Sequence, residues 1–139
     1  MSLLDKLLST PANRFTEMKT DTFHSKRLEK IIGEGNITIR EIPYKRLNDL
    51  IGKQFDKKGN FDFNLSARAK AIMTAEGVTD PSLKDEKLLS YFGAASPADL
   101  AEILFGNEIT AISDGILTLS GYITDEETAE ETDEEIKNC

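Results

Sequence analysis

The segment DPSLKDEKLLSYFGAASPADLAEILFGNEITAISDGILTLSGY, residues 80–122, decides the fold because it alternates signals for the start of a helix with signals for its end. Ser96 and Pro97 are typical of an N-cap and a first helical residue, and Glu108 precedes another apolar run. Glycine favours the left-handed conformation in which helices often end. The three apolar runs are followed by Gly93, Gly106 and Gly121. The segment therefore predicts three short helices.

Apolar residues recur through this segment at helical spacing, so each predicted helix has one face to bury. In the last helix they recur every three or four residues from Ile109 to Leu119. The side chains that we expect in the core are Leu88, Phe92, Leu104, Ile112, Ile116 and Leu119. The segment contains no catalytic or metal-binding motif, which favours a packing and binding module.

One β element is predicted upstream of this segment. Ile37 and Ile39 alternate with polar neighbours directly after the glycine-rich turn at residues 33–36, a pattern typical of a strand. Its partner is expected around residues 22–28, although residues 26–32 are equally compatible with a helical turn. Because a two-stranded hairpin is marginally stable alone, it must pack against helices.

Two further helices are expected between this β element and residue 80. Pro43 starts the first of them, and Asn64 is predicted to cap the second. The inward face of the first is expected to hold Tyr44, Leu47, Leu50 and Ile51. The sequence thus predicts an α+β fold that is predominantly α-helical, a compact bundle of about five to six short helices with one small β-hairpin in the N-terminal third.

A short amphipathic helix is predicted over residues 2–9, ahead of Thr10 and Pro11. The candidate partner-binding residues are its four leucines, Leu3, Leu4, Leu7 and Leu8. Two interpretations remain open: the helix folds back onto the core, or it is an exposed apolar peptide that docks on a partner. Two helical turns with balanced charge give little support for membrane attachment.

The net charge of −8 is concentrated at the C-terminal end. Residues 123–139 hold eight acidic residues and one lysine, whereas residues 1–122 hold 17 acidic and 16 basic residues. We expect a single globular domain over residues 1–122 and a disordered acidic tail over residues 123–139. An almost neutral body lacks the surplus of Lys and Arg that nucleic-acid binding requires. A solvated charged face is the interpretation for Lys26, Arg27, Lys30, Arg40, Lys45 and Arg46.

The residues that catalysis or metal binding would need are scarce. His24 is the one histidine and Cys139 the one cysteine, so an intramolecular disulfide and a multi-histidine metal site are impossible. The sequence has no phosphate-binding loop and no nucleophile elbow. The loop from Asp56 has Lys58 where a calcium-binding loop needs an oxygen ligand. We therefore expect no enzymatic activity, no cofactor and no metal.

The sequence has no apolar run approaching the roughly 20 residues that cross a membrane. The first residues are interrupted by Asp5 and Lys6 and have no basic leader, so they do not resemble a signal peptide. A single cysteine fits a reducing compartment. We expect a cytoplasmic protein with no membrane partner.

Several short motifs, taken in this order, resemble the XkdN-like family of phage tail assembly chaperones. They are IREIPY at residues 39–44, DPSLKD at 80–85, YFGA at 91–94, SPADL at 96–100, EI at 108–109 and LSGY at 119–122. The chain differs from the family pattern at Gly106-Asn107-Glu108, where a Pro-Gly-Glu type of turn is expected. The resemblance extends over residues 20–122.

The resemblance implies a non-enzymatic phage, prophage or phage-tail-like-particle protein that assists tail assembly. The implied partner is the tape measure protein, with the tail tube protein as a further candidate and self-association left open. It implies that the protein works in the host bacterial cytoplasm and is not part of the mature particle. Two alternatives stay open: a small phage-encoded regulatory adaptor that acts by protein binding, and a structural component of the tail.

Overall fold

The computed structural model describes residues 1–122, so the expected disorder of residues 123–139 lies outside the described part. Seven α-helices, two short 3-10 turns and three β-strands occupy these 122 residues. The helices are α1 Leu3–Leu8, α2 Lys26–Ile32, α3 Tyr44–Gly52, α4 Phe63–Gly77, α5 Glu86–Phe92, α6 Pro97–Phe105 and α7 Ile109–Leu119. The strands are β1 Thr20–His24, β2 Asn36–Arg40 and β3 Val78–Asp80. The predicted class, α+β and predominantly helical, is confirmed.

The expected antiparallel strand pair is β1 with β2, in a register that places Thr20 opposite Arg40 and His24 opposite Asn36. Residues 26–32, which were compatible with strand or helix, form α2, the helix that raises the total above the expected five to six. The sheet also has a third strand, β3, which pairs with β2 so that Val78 lies opposite Ile39. Because β3 is three residues long and follows α4 without a turn, the sequence contains no separate signal for it.

The core lies where α4 packs against α3, α6 and α7, with the inner face of β2 closing one side. The largest side chains fully removed from solvent are Phe105, Ile37, Leu50, Leu83, Leu100, Ile112 and Ile116. Gly77, the last residue of α4, packs directly against Ile116 of α7. A Cβ built at Gly77 would lie only 2.3 Å from Ile116 Cδ1. The C-terminal end of α4 therefore approaches α7 more closely than a larger residue would permit.

Four of the expected core positions are less buried than predicted. Leu88, Leu104 and Leu119 are only partly buried, and Phe92 is 39% exposed at the last position of α5, where its ring packs against Tyr91. Tyr44 was also expected to face inward, but it is the first residue of α3 and is 81% exposed. The buried face of α3 begins one turn later, at Leu47.

The predicted helix ends agree with the structure at most positions. Ser96 Oγ accepts a hydrogen bond from the Asp99 amide, and Gly93 ends α5 with a φ of 64°. The expected cap at Asn64 is wrong, because α4 begins at Phe63, two residues before the start that a cap at Asn64 implies. Asp62 caps it instead: its Oδ1 accepts a hydrogen bond from the Leu65 amide at 2.9 Å. Asp and Asn are equally good caps, so the choice between two positions that lie two residues apart depends on the loop.

Candidate functional site

The N-terminal helix α1 is a well-formed helix that buries nothing. Ser2 Oγ accepts from the Asp5 amide at 3.2 Å, and an Asp5 carboxylate oxygen accepts from the Ser2 amide at 3.3 Å, which completes a capping box. The four predicted site residues lie on this helix with exposed fractions of 74% for Leu3, 64% for Leu4, 47% for Leu7 and 78% for Leu8. None of them belongs to the hydrophobic core.

Four exposed leucines on six residues are an unusual surface for a small protein. Helices much shorter than about 12 residues are marginal in water unless tertiary contacts support them, and none of the α1 leucines belongs to the described core or to the side chains packed against it. Exposed apolar patches of this kind mark interaction sites. We therefore expect the leucines of α1 to be buried by contact with another protein surface.

A second apolar surface was not predicted from the sequence. It is an open groove of about 640 Å³ between three separate parts of the chain, residues 15–18, residues 41–48 and residues 120–122. Its apolar lining consists of Phe15, Met18, Ile42, Pro43, Tyr44, Leu47 and Tyr122. We call this surface the tyrosine groove, after Tyr44 and Tyr122, which are 81% and 55% exposed.

Hydrogen bonds between distant residues build the tyrosine groove. The Ile42 amide donates to Ser120 Oγ at 2.9 Å, and that hydroxyl donates onward to the Ile116 carbonyl at 2.7 Å. On the other side, the Glu41 amide donates to the Lys19 carbonyl, and Glu41 Oε1 accepts from the Lys19 amide, both at 2.9 Å. The end of α7 and the segment before β1 are thus fixed on either side of the β2–α3 junction.

Two of the motifs that carry the family resemblance meet in this groove. IREIPY supplies the β2–α3 junction and LSGY supplies the end of α7, although about 80 residues of sequence separate them. No periodicity or spacing in the sequence links two such short motifs. The sequence offered one indication that both motifs matter, namely that both belong to the family resemblance. That resemblance did not predict that the two motifs lie next to each other in the fold.

The charged lining of the tyrosine groove is acidic. Among residues 1–122, the charged side chains that line it are Glu17 and Glu41. On α1, Asp5 is engaged in the capping box, and Lys6 is the one basic side chain. The groove and the helix are thus both apolar. The described groove lining carries two acidic side chains, whereas α1 carries one acidic and one basic side chain.

Arg27 and Arg46, two of the six basic residues of the expected charged face, make side-chain contacts that the structure defines. Arg27 donates from Nε to the Leu104 carbonyl and from Nη2 to the Ile103 carbonyl, near the C-terminal end of α6. Arg46 Nη2 lies 2.7 Å from Glu76 Oε1, and this hydrogen-bonded pair raises the pKa of the guanidinium. These two cations therefore have partners within the chain, backbone carbonyls for Arg27 and a carboxylate for Arg46.

The one histidine belongs to a surface hydrogen-bond network. His24 Nδ1 lies 2.9 Å from Asn36 Oδ1, and His24 Nε2 lies 2.6 Å from Glu29 Oε2. The bonds to Asn36 and Glu29 raise the pKa of the imidazole above its ordinary 6.5. Within residues 1–122, no three His, Cys, Asp or Glu side chains are placed to hold a metal ion, and no helix is long and apolar enough to span a bilayer.

Comparison with known proteins links this architecture to one family. The family described as "Phage XkdN-like tail assembly chaperone protein, TAC" matches residues 4–137. A solved structure, described as the crystal structure of the protein yqbn, is 15% identical in sequence and superposes with a TM-score of 0.55. The superposition covers 76% of this chain and 88% of that one, which shows a common fold. No curated protein is significantly similar in sequence.

Proposed function

The chain belongs to the family of phage XkdN-like tail assembly chaperones, and from this premise we propose that it binds the tape measure protein through the exposed leucines of α1 during tail assembly. A tape measure protein is a long helical chain whose apolar faces need cover until the tube closes around it. Leu3, Leu4, Leu7 and Leu8 offer an apolar surface of matching character. The tail tube protein is the second proposed partner.

The observation that carries this proposal is the exposure of all four leucines on a folded, capped helix. Burying one leucine side chain contributes about 1.5–3 kcal/mol, and part of this gain offsets the freedom that is lost on association. Burial of all four leucines together is therefore consistent with a weak interaction, in the range of micromolar affinity or weaker. An affinity of this order suits a chaperone, which must release its partner when tube subunits compete for the same surface.

We further propose that the role is non-catalytic and that the protein acts in the host bacterial cytoplasm and leaves before the particle is complete. His24 is engaged by Asn36 and Glu29, and the groove lining that residues 1–122 provide contains no histidine or cysteine. Mass spectrometry of purified particles tests whether the protein leaves before the particle is complete. Stoichiometric amounts of the chain in finished particles would instead make it a structural component.

Co-expression with the tape measure protein encoded in the same element tests the main proposal. An affinity tag on the chaperone should retain the tape measure protein. The gene of the chaperone should also lie between the tube gene and the tape measure gene. Failure to retain the tape measure protein at micromolar concentrations of both proteins would contradict the proposed partnership.

A further inference from the structure

Two apolar surfaces of the same chain lack a partner within residues 1–122. The first is the leucine face of α1, and the second is the tyrosine groove. We propose that they are partners of each other between two copies of the chain, so that α1 of one copy docks in the tyrosine groove of another. This contact involves no other protein and does not rest on binding to the tape measure protein.

The size and shape of the two surfaces support this pairing. The α1 segment is one and a half to two turns long and carries leucines spaced so that Leu4 and Leu8 lie on the same side, with Leu3 and Leu7 beside them. A groove of about 640 Å³ has room for a short apolar helix face. Aromatic side chains rim the groove, as is typical of surfaces that hold a helix by its apolar face.

Charge supports the same pairing. The charged groups of the described groove lining are both acidic, Glu17 and Glu41, and α1 carries the basic Lys6 next to the capping residue Asp5. An interface in which Lys6 approaches these carboxylates is attractive. Charge complementarity therefore favours an orientation of α1 in the groove that brings Lys6 toward Glu17 and Glu41.

The proximity of α1 to its own groove favours a second copy as the occupant. Only residues 9–14 separate the helix from Phe15, and four of these residues lead into or form a 3-10 turn. Return of α1 to the groove of its own chain would require this short connection to reverse direction while Phe15–Met18 stay in the groove wall. Docking between copies needs no such rearrangement, and in a symmetric dimer each copy supplies one helix and one groove.

Docking between copies has a consequence for the chaperone. When α1 of one copy is bound in the groove of another, its leucines are covered. The chaperone then does not expose this apolar surface before it binds its client, the protein that it assists during assembly. A client helix with higher affinity for either surface releases the pair. Self-association and client binding are then competing states of the same two surfaces.

Two double variants test the two surfaces one at a time. L4S/L8S removes the helix face and leaves the groove intact, and F15S/Y44S removes groove aromatics that are 66% and 81% exposed. F63S/Y91S is the matched control, since these residues are of the same type, are 85% and 82% exposed and lie outside the groove. All changes are at exposed positions outside the core, so the circular dichroism spectrum and the unfolding midpoint should stay close to those of the parent.

Sedimentation equilibrium or light scattering over 1–200 µM protein, a range chosen around typical micromolar affinities, gives the first result. The parent and F63S/Y91S should associate with the same dissociation constant, and each of the other two variants should weaken association at least about tenfold. A parent that stays monomeric through this range overturns the proposal. So does an F15S/Y44S variant that associates like the parent, since α1 would then be pairing with something other than the groove.

Mixing the two defective variants gives the decisive result. L4S/L8S supplies an intact groove and F15S/Y44S supplies an intact α1, so equal amounts should form a one-to-one heterodimer with a single functional contact. Lys6→Glu in the F15S/Y44S chain should weaken this heterodimer, because it replaces an attraction to Glu17 and Glu41 by a repulsion. A mixture that shows no heterodimer overturns the pairing of helix with groove.

Discussion

Ser25 Oγ donates a 2.5 Å hydrogen bond to Glu108 Oε1, across 83 residues of sequence. The other carboxylate oxygen of Glu108 accepts from the Lys26 amide, and Ser25 Oγ itself accepts from the Leu28 amide. One carboxylate at the start of α7 thus stabilises the N-terminus of α2, where negative charge is favourable. Glu108 belongs to the EI motif of the family resemblance, and this contact is a physical reason for an acidic residue at that position.

Ser25→Ala should destabilise the chain by about 2 kcal/mol. Ser25 is completely buried, and its loss removes both a helix cap and the hydrogen-bond donor to Glu108. Urea unfolding monitored by circular dichroism measures the change. Ser2→Ala is the matched control, because Ser2 caps α1 in the same way but α1 contributes nothing to the core. Equal destabilisation by the two changes would show that the contact to Glu108 has no energetic weight.

Gly77→Ala should cost about 1–3 kcal/mol of unfolding free energy. The added methyl group would lie 2.3 Å from Ile116 Cδ1 and 2.8 Å from Cγ1, so the completely buried Ile116 side chain would have to move within the core. Gly52→Ala, the control, has nothing within 4 Å and should be neutral or slightly stabilising. In the Gly77→Ala background, Ile116→Val should cost less than it does in the parent. Additive effects would contradict the close approach of α4 and α7.

His24 should make the unfolding free energy depend on pH. Its hydrogen bonds to Asn36 and Glu29 raise the pKa in the folded state above 6.5, so the protonated form stabilises the fold. This contribution is fully present below about pH 6.5 and disappears as the pH rises through the raised pKa. The difference in urea midpoint between parent and His24→Gln should therefore be larger at pH 6 than at pH 9. A difference that grows with pH would contradict the assignment.

A chain that ends at Tyr122 should fold with nearly the same thermal midpoint as the full chain. We propose that residues 1–122 form one domain, because the described core draws on residues from Ile37 to Ile116. Residues 123–139 carry seven of the eight net negative charges, so their removal should lower solubility even if stability is unchanged. A substantial loss of helical signal or of midpoint in the shortened chain would contradict the domain boundary.

The sequence was most informative where local chemistry decides the structure. Ser96, Gly93 and Gly121 are capping signals whose physical basis lies within a few residues, and the structure has them at helix ends. Strand β3, in contrast, exists because Val78 pairs with Ile39 at the end of a long helix, and no local signal distinguishes it. The exposure of Tyr44 and Phe92 likewise depends on which turn of a helix meets the core.

The two candidate surfaces differ in the same way. The leucines of α1 are adjacent in sequence, so their pattern could be recognised directly. The tyrosine groove is assembled from three distant segments by contacts such as the one between Ile42 and Ser120. Only the folded chain brings these segments together, so the groove could not be predicted from composition or periodicity.

Capture of the tape measure protein by α1 variants tests the central claim most directly. L4S/L8S should retain at least about tenfold less tape measure protein than the parent in a co-expression pull-down, with an unchanged unfolding midpoint. I31S/I32S is the matched control, because Ile31 and Ile32 are exposed to 65% and 66% on α2, and it should retain as much as the parent. Equal retention by L4S/L8S and the parent would contradict the claim that the α1 leucines bind the tape measure protein.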